Sequence, residues 1–380
     1  MNYDVAIAGL GGMGSAIAAH CAARGASVIG LEQFGPAHGR GSSHGKSRMI
    51  RKAYFEDAAY VPLVLRSYDL WRALEREAGE ELLRIIGVLS VGEEGSEIIA
   101  GTMRSAEEHG LPIEPWSSEE VRRRYPDLRL LQNETALFDP DGGVLNPEAA
   151  VRAHLKVAAA AGAELRFETS MQSWKAENDG VRIDLVDSPP VFARKLVLSL
   201  GPWFQQTLET LGVALEIQRN VQAWFKPAST RYAAGRFPAF LLDRAGLPAP
   251  LYGFPDFGDG IKVAFHGHGQ TTTADTVDRD VDMARDINPI SQALEQWMPG
   301  GAAVFLGATP CLYSLTPDCN FVIDHHPTQA GVILCGGFSG HGFKFAPVVG
   351  EIGADLVLEG VSRHEIGFLS LQRFGAKSGG

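Results

Sequence analysis

Cysteine is scarce. Four residues, Cys21, Cys311, Cys319 and Cys335, stand in 380, and none forms a Cys-x-x-Cys pair. That excludes a disulfide scaffold and gives no sign of a zinc site or a thioredoxin-like motif. Long apolar runs are missing too. The stretch from Val5 to Leu10 is too short for a membrane span or a signal-peptide core, and glycines interrupt the chain directly after it. Positive charge is in deficit, with 34 Lys and Arg against 45 Asp and Glu and a formal net charge of −11. Nucleic-acid binders carry a basic footprint, so this balance argues against that class while leaving room for a local cationic pocket. The sequence carries no internal repeat, low-complexity tract, coiled-coil heptad, Ser/His/Asp triad, metal-ligand cluster or P-loop. The protein reads as reduced, cytoplasmic and free of membrane contact.

What is present is the composition of a globular enzyme, 45% hydrophobic and 21% charged, in a chain long enough for two domains. Tyr3 to Ala8 reads as a buried strand, Ser15 to Arg24 as an alanine-rich helix, and Ala26 to Leu31 as a second strand. Between the first two lies Gly9-Leu10-Gly11-Gly12-Met13-Gly14, and Glu32 ends the second strand. In such a turn the first glycine permits the tight bend and the second lets backbone approach a pyrophosphate. The third lets helix and strand pack closely. Free N–H groups and the helix dipole then favour the phosphates, and an acid about 20 residues on meets a ribose hydroxyl. This βαβ unit points to a dinucleotide and does not separate NAD from FAD.

Further along, helices are expected over Tyr60 to Glu77, Glu97 to His109, Asn146 to about Ala161, Ile290 to Met298 and Pro347 to Glu359. Pro112 to Leu145 reads as loops with short helices. Gly87 to Val91, Glu164 to Thr169, Trp174 to Glu177, Val181 to Leu185, Lys195 to Leu200 and Val332 to Leu334 read as strands. Arg219 to Gly269 is β-like and rich in aromatics. Within it, alternation from Ile261 to Phe265 would turn Lys262 and Ala264 outward.

The segments after Glu32 carry a resemblance. They are Ser42-Ser43-His44-Gly45-Lys46-Ser47-Arg48-Met49-Ile50-Arg51, Tyr252-Gly253-Phe254-Pro255, Ile261 to His266, Pro310 to Asp318, and Gly337-Phe338-Ser339-Gly340-His341-Gly342-Phe343-Lys344. In order and spacing this set resembles the monomeric sarcosine oxidase and N-methyltryptophan oxidase family of FAD-dependent amine oxidases, over nearly the whole chain. The resemblance implies an FAD covalently held by Cys311 and gripped by Gly9, Gly11, Gly12, Met13, Gly14, Glu32, Ser42, Ser43, Arg48, Gly201, Trp203, Gly337, Phe338, Gly340, His341, Gly342 and Lys344. It implies Arg51 and Lys344 as the pair that binds a substrate carboxylate, with Tyr252 and His266 lining the same site. It also implies catalytic roles for Arg48, His266 and Lys262, the last facing the flavin and promoting reaction with O2. His268, His325 and His326 are expected to be structural.

Four departures stand near the implied flavin and pocket. Gly201-Pro202-Trp203 replaces the family's usual Gly-Ala-Trp, Lys46 stands where an acid is common, Lys52 where histidine is, and Cys319 where polar residues are. They put sarcosine itself in doubt as the preferred substrate and leave the flavin chemistry in place.

The implied fold is α/β, a Rossmann-like FAD-binding domain of the glutathione-reductase type with a substrate domain built on a mixed, antiparallel-rich β-sheet. Residues 1–86, 146–215 and 305–380 would form the first domain, and 87–145 with 216–304 the second. The implied activity is oxidation of secondary N-methyl or cyclic amino acids to imines by a monomer, with O2 reduced to hydrogen peroxide. A dehydrogenase with another electron acceptor and a non-catalytic flavoprotein are the alternatives.

Overall fold

The computed structural model describes residues 2–177 and 179–375. Tyr3–Ala8 pairs in parallel with Val28–Leu31 on one side and with the C-terminal half of Ser188–Leu198 on the other. Glu164–Arg166 extends the sheet beyond Val28–Leu31. Ser188–Leu198 organises the other edge. Its first half pairs antiparallel with Gly180–Leu185, and its second half pairs in parallel with Val332–Gly336. Residues from both ends of the chain thus meet in one eight-stranded sheet.

Helices Gly12–Ala23, Val61–Ala78, Pro147–Ala160 and Ala346–Leu358 pack their apolar residues into one core with this sheet. Gly12–Ala23 is buried on nearly every side, which explains its run of small residues. A Cβ on Gly350 would lie 2.8 Å from the Cβ of Ala16, so these two helices touch backbone to backbone.

The second sheet has nine strands in the order Gln270–Thr272, Glu216–Lys226, Ile261–Phe265, Leu251–Phe254, Ala239–Asp243, Val88–Glu93, Glu134–Asp139 and Glu114–Trp116. Val304–Leu315 lies along Glu216–Lys226. One pairing, Ala239–Asp243 with Val88–Glu93, is parallel and the rest are antiparallel. A three-stranded sheet of Arg48–Ile50, Gly143–Leu145 and Leu83–Ile85 completes the fold.

Two expectations change, and one strand spans the expected domain boundary. Pro112 to Leu145 holds one short helix, Ser118–Arg124, but also the strands Glu114–Trp116, Glu134–Asp139 and Gly143–Leu145. Prolines and charges dominate the local signal there, and the strands form because the second and third sheets supply partners. The boundary at 305 falls inside Val304–Leu315, which bonds to the second sheet from Val304 to Leu315. Ile261–Phe265 does not alternate, because all five residues are buried, Lys262 and Ala264 included.

Candidate active site

A cavity of about 540 Å³ opens along the C-terminal ends of the parallel strands. At one end stands the glycine turn. Gly9 has φ +88°, and a Cβ there would lie 2.3 Å from the Ser199 carbonyl oxygen. On Gly14 it would lie 1.8 Å from the Gly9 carbonyl oxygen. A Cβ on Gly11 would meet only Ser43 Oγ, at an ordinary 3.8 Å, and Gly11 faces the cavity. The helix starts at Gly12, inside the glycine run rather than at Ser15, so its unpaired N–H groups border the cavity. One is already held, since Gly12 N–H donates to Ser43 Oγ over 3.1 Å. Glu32 is 5% exposed, and its carboxylate accepts from Leu10 N at 2.9 Å and Phe34 N at 3.0 Å. That pins the acid beside the turn with lone pairs left over.

Of the expected cofactor residues, Gly9, Gly11, Gly12, Met13, Glu32, Ser42, Ser43, Arg48, Gly201, Trp203, Cys311, Gly337, Phe338, Gly340 and Gly342 line this cavity. Gly14 stands behind the wall as the packing glycine. His341 and Lys344 line the smaller cavity beside it. Gly337 and Gly340 both take left-handed backbone. The turn they make keeps Phe338 and Gly342 on the large cavity's wall and carries the His341 ring away, between Tyr54, Tyr60 and Phe321. His326, expected to be structural, is on the large cavity's wall. Pro202 lines it as well, in the first turn of the 3-10 segment Gly201–Phe204, a position that tolerates a missing N–H.

The second cavity, of about 70 Å³, adjoins the first and shares Arg48, Cys311, Tyr313, Gly340 and Phe343 as common wall. Cys311 is a free cysteine, buried at 2% exposure. The Arg48 guanidinium donates to its Sγ over 3.4 Å and is itself held by the carbonyls of Ser42 at 2.7 Å and Ser47 at 2.8 Å.

The small cavity is where cations gather. Arg51 is 5% exposed and forms a two-pronged ion pair with Glu56, at 2.7 and 2.9 Å. Burial alone would raise the Glu56 carboxyl, but Arg51, His341 and Lys344 outweigh it and hold it down to about 2. Burial pushes the Lys344 amine down to about 7. Burial also lowers His266 to about 4, so its imidazole is neutral at neutral pH. His266 Nδ1 lies 3.3 Å from the Tyr313 hydroxyl. Tyr252 completes this wall, with Met49, Phe55, Leu241 and Phe254 making the rest apolar.

Lys262 is brought close to this group yet lines neither cavity. It is 2% exposed, and its Nζ donates to the carbonyls of Gly45 and Ser47, each at 2.8 Å. Burial drives its amine well below the ordinary lysine range. Its partners belong to the loop that delivers Arg48 to Cys311, so Lys262 braces that loop from behind.

Sequence reasoning missed Tyr54, Glu56 and Tyr313. Tyr313 was within reach, because it follows Cys311 by two positions on one strand and shares its face. Tyr54 and Glu56 lie outside regular elements, where no periodicity marks an inward side chain.

A helix N-terminus for a pyrophosphate, a pinned acid for a ribose and a long cavity reaching Cys311 fit a flavin dinucleotide. Comparison with known proteins agrees. The FAD dependent oxidoreductase family profile matches residues 4–356. The chain is 44% identical to a monomeric sarcosine oxidase of Streptomyces avermitilis, across 99% of this chain and 98% of that one. It is 34% identical to an N-methyl-L-tryptophan oxidase of Yersinia pestis, across 98% of this chain and all of that one. The solved structure of NikD, an unusual amino acid oxidase essential for nikkomycin biosynthesis, superposes with a TM-score of 0.86 at 25% identity, covering 97% of each chain. The chain therefore belongs to the FAD dependent oxidoreductase family, among the monomeric sarcosine oxidases and N-methyltryptophan oxidases, and is a flavin-dependent amine oxidoreductase.

Proposed function

We propose that this protein oxidises small secondary amino acids, N-methyl or cyclic, to imines and passes the electrons to O2, forming hydrogen peroxide. The observation that carries the reading is the Arg51 and Lys344 cation pair inside a small cavity that shares a wall with the large one. Bound FAD would supply the acceptor for the hydrogen and electron pair removed from the substrate's C–N unit.

The residues of the chain do the rest. An incoming carboxylate replaces Glu56 on the Arg51 fork and meets Lys344, which fixes the substrate at one end. The amine then lies towards His266, whose neutral imidazole accepts a hydrogen bond from it. Met49, Phe55, Leu241 and Phe254 exclude water around the bond being oxidised. A volume of about 70 Å³ lies far below the roughly 300–1,000 Å³ of drug-sized pockets, which favours sarcosine-sized substrates over N-methyltryptophan. For sarcosine the imine hydrolyses to glycine and formaldehyde.

Two finer points belong to the same proposal. Arg48 beside Cys311 supports a covalent link from this sulfur to the flavin, since the guanidinium donates to Sγ at the wall the two cavities share. Lys262, buried with its Nζ donating to the Gly45 and Ser47 carbonyls, would in its ammonium form support reaction with O2 by stabilising developing negative charge in a low-dielectric region. The free state of all four cysteines accords with a reducing, cytoplasmic setting, where the protein would act as a monomer.

Acid precipitation of the purified protein tests the linkage. A yellow pellet supports Cys311 attachment, and free flavin in the supernatant refutes it. Lys262→Met should slow reoxidation of the reduced protein by O2 while leaving its reduction by substrate near normal. Unchanged reoxidation would remove Lys262 from the oxygen step.

A further inference from the structure

One residue touches both cations of the proposed carboxylate clamp. The Arg51 guanidinium lies 4.7 Å from the centroid of the Tyr54 ring, and Lys344 Nζ lies 4.9 Å from it. The Tyr54 hydroxyl is also 3.4 Å from Lys344 Nζ. The ring is fully buried, and neighbouring Tyr60 and Phe345 rings at 5.2 Å hold it in place. Two like charges in a dry pocket repel each other. A negative aromatic face shared by both reduces that cost.

The hydrogen bonds around Tyr54 have one consistent direction. His341 Nε2 lies 2.9 Å from the Cys319 carbonyl oxygen, which can only accept, so Nε2 carries the hydrogen. Burial lowers His341 to about 4, so the ring is neutral at neutral pH and Nδ1 is an acceptor. Tyr54 OH contacts Nδ1 and must therefore donate to it. The Tyr54 oxygen is left to accept from Lys344 Nζ. The His341 carbonyl accepts a second Lys344 hydrogen at 2.8 Å. Two of the three ammonium hydrogens are thus anchored, and the third is available to the cavity that Lys344 lines.

We propose that Tyr54 and His341 are positioning residues that set the spacing of Arg51 and Lys344 and keep Lys344 charged, and so determine how well the site takes a substrate carboxylate. This rests on the reading of Arg51 and Lys344 as the carboxylate clamp. Neither residue meets the reacting bond. His341 acts through Tyr54, and Tyr54 acts through the two cations.

The sign of the pH effect comes from the groups facing Lys344. Glu56 favours its charged form, while burial, Arg51 and Arg48 disfavour it. His266 and His341 are neutral near pH 7, and burial holds the Tyr54 phenol protonated. A carboxylate therefore binds best below about pH 7 and loses affinity as pH rises through that value. Removing the Tyr54 oxygen takes away an acceptor of the charged form, so the loss should begin at lower pH.

The test uses flavin-loaded protein and acetate, an unreactive carboxylate, followed through the flavin absorbance change from pH 5.5 to 9. Tyr54→Phe keeps the ring and removes the oxygen. It should weaken acetate about tenfold at pH 7 and move the alkaline limb to lower pH. For a turned-over amino acid it should raise KM more than it lowers kcat. His341→Leu should behave alike, whereas His341→Asn, which restores an acceptor facing Tyr54, should recover most of the affinity. An unchanged flavin spectrum and melting temperature in Tyr54→Phe would exclude misfolding as the cause. Lys344→Met separates the two levels of the argument. If it leaves acetate affinity intact, the carboxylate clamp itself is wrong. If it weakens acetate but Tyr54→Phe and His341→Leu shift neither affinity nor the limb, the clamp stands and the positioning role is overturned.

Discussion

Arg51 arrives at the site already paired with Glu56, and this has consequences for binding. A carboxylate ligand competes with an internal carboxylate. At pH 6, where Lys344 is charged in any case, Glu56→Gln should tighten acetate by several-fold. At pH 8 the gain should shrink, because Glu56 also favours the Lys344 ammonium. Equal or weaker acetate binding at pH 6 in a titration would contradict competition. Lys344 predicts a stability effect as well. Its amine is depressed to about 7 in the folded chain, so between about pH 7 and the ordinary lysine value of 10.5 the unfolded chain binds more protons. Stability from this group therefore rises with pH across that window. Thermal melts of cofactor-free protein should show the wild type gaining on Lys344→Met from pH 7 to 9, and parallel curves would refute the shift. At this scale the sequence was partly legible. Arg51 and Lys344 were found through the motifs around them. Lys262 was not legible as buried, because strand alternation turned it outward, and Tyr54 and Glu56 carried no local signal. Their importance arises only when residues about 290 positions apart meet, as Tyr54 and Lys344 do.

The glycine turn and its helix separate two kinds of constraint. Gly14 is held by packing against Gly9, whereas a Cβ on Gly11 would meet nothing nearer than Ser43 Oγ at 3.8 Å. Gly14→Ala should cost at least the upper end of the about 1–3 kcal/mol typical of overpacking, even without cofactor. Gly11→Ala should leave the melting temperature of cofactor-free protein near wild type yet lower the flavin-to-protein ratio, since its methyl enters the path to the first-turn N–H groups. Equal effects of the two on the cofactor-free melt would contradict the division. Gly350→Ala, which would press into Ala16 and His20, should cost about 1–3 kcal/mol without touching the site. The βαβ unit was the most legible element, because its spacing, turn and acid are set within 32 residues. Glu134–Asp139 and Gly143–Leu145 were not legible, because their strand character depends on partners from Val88–Glu93 and from Arg48–Ile50 with Leu83–Ile85.

Across the whole molecule, the two large sheets divide the labour. The first frames the large cavity at the ends of its parallel strands, where the dinucleotide would lie. The second supplies Tyr252, Cys311 and Tyr313, with His266 directly after its strand Ile261–Phe265, and the Arg48–Ile50 strand carries Arg48 to the shared wall with Arg51 just beyond it. Val304–Leu315 pairs with the second sheet and brings Cys311 to the first sheet's cavity, so it joins the two halves. The central claim is that a carboxylate-bearing secondary amine, seated between these halves, reduces the bound flavin. Anaerobic mixing with sarcosine, monitored by the loss of flavin absorbance, tests it most directly. The account predicts bleaching by sarcosine, none by dimethylamine at equal concentration, and recovery of the yellow colour on admitting air. Bleaching by dimethylamine as fast as by sarcosine, or no bleaching by any N-methyl or cyclic amino acid, would contradict it.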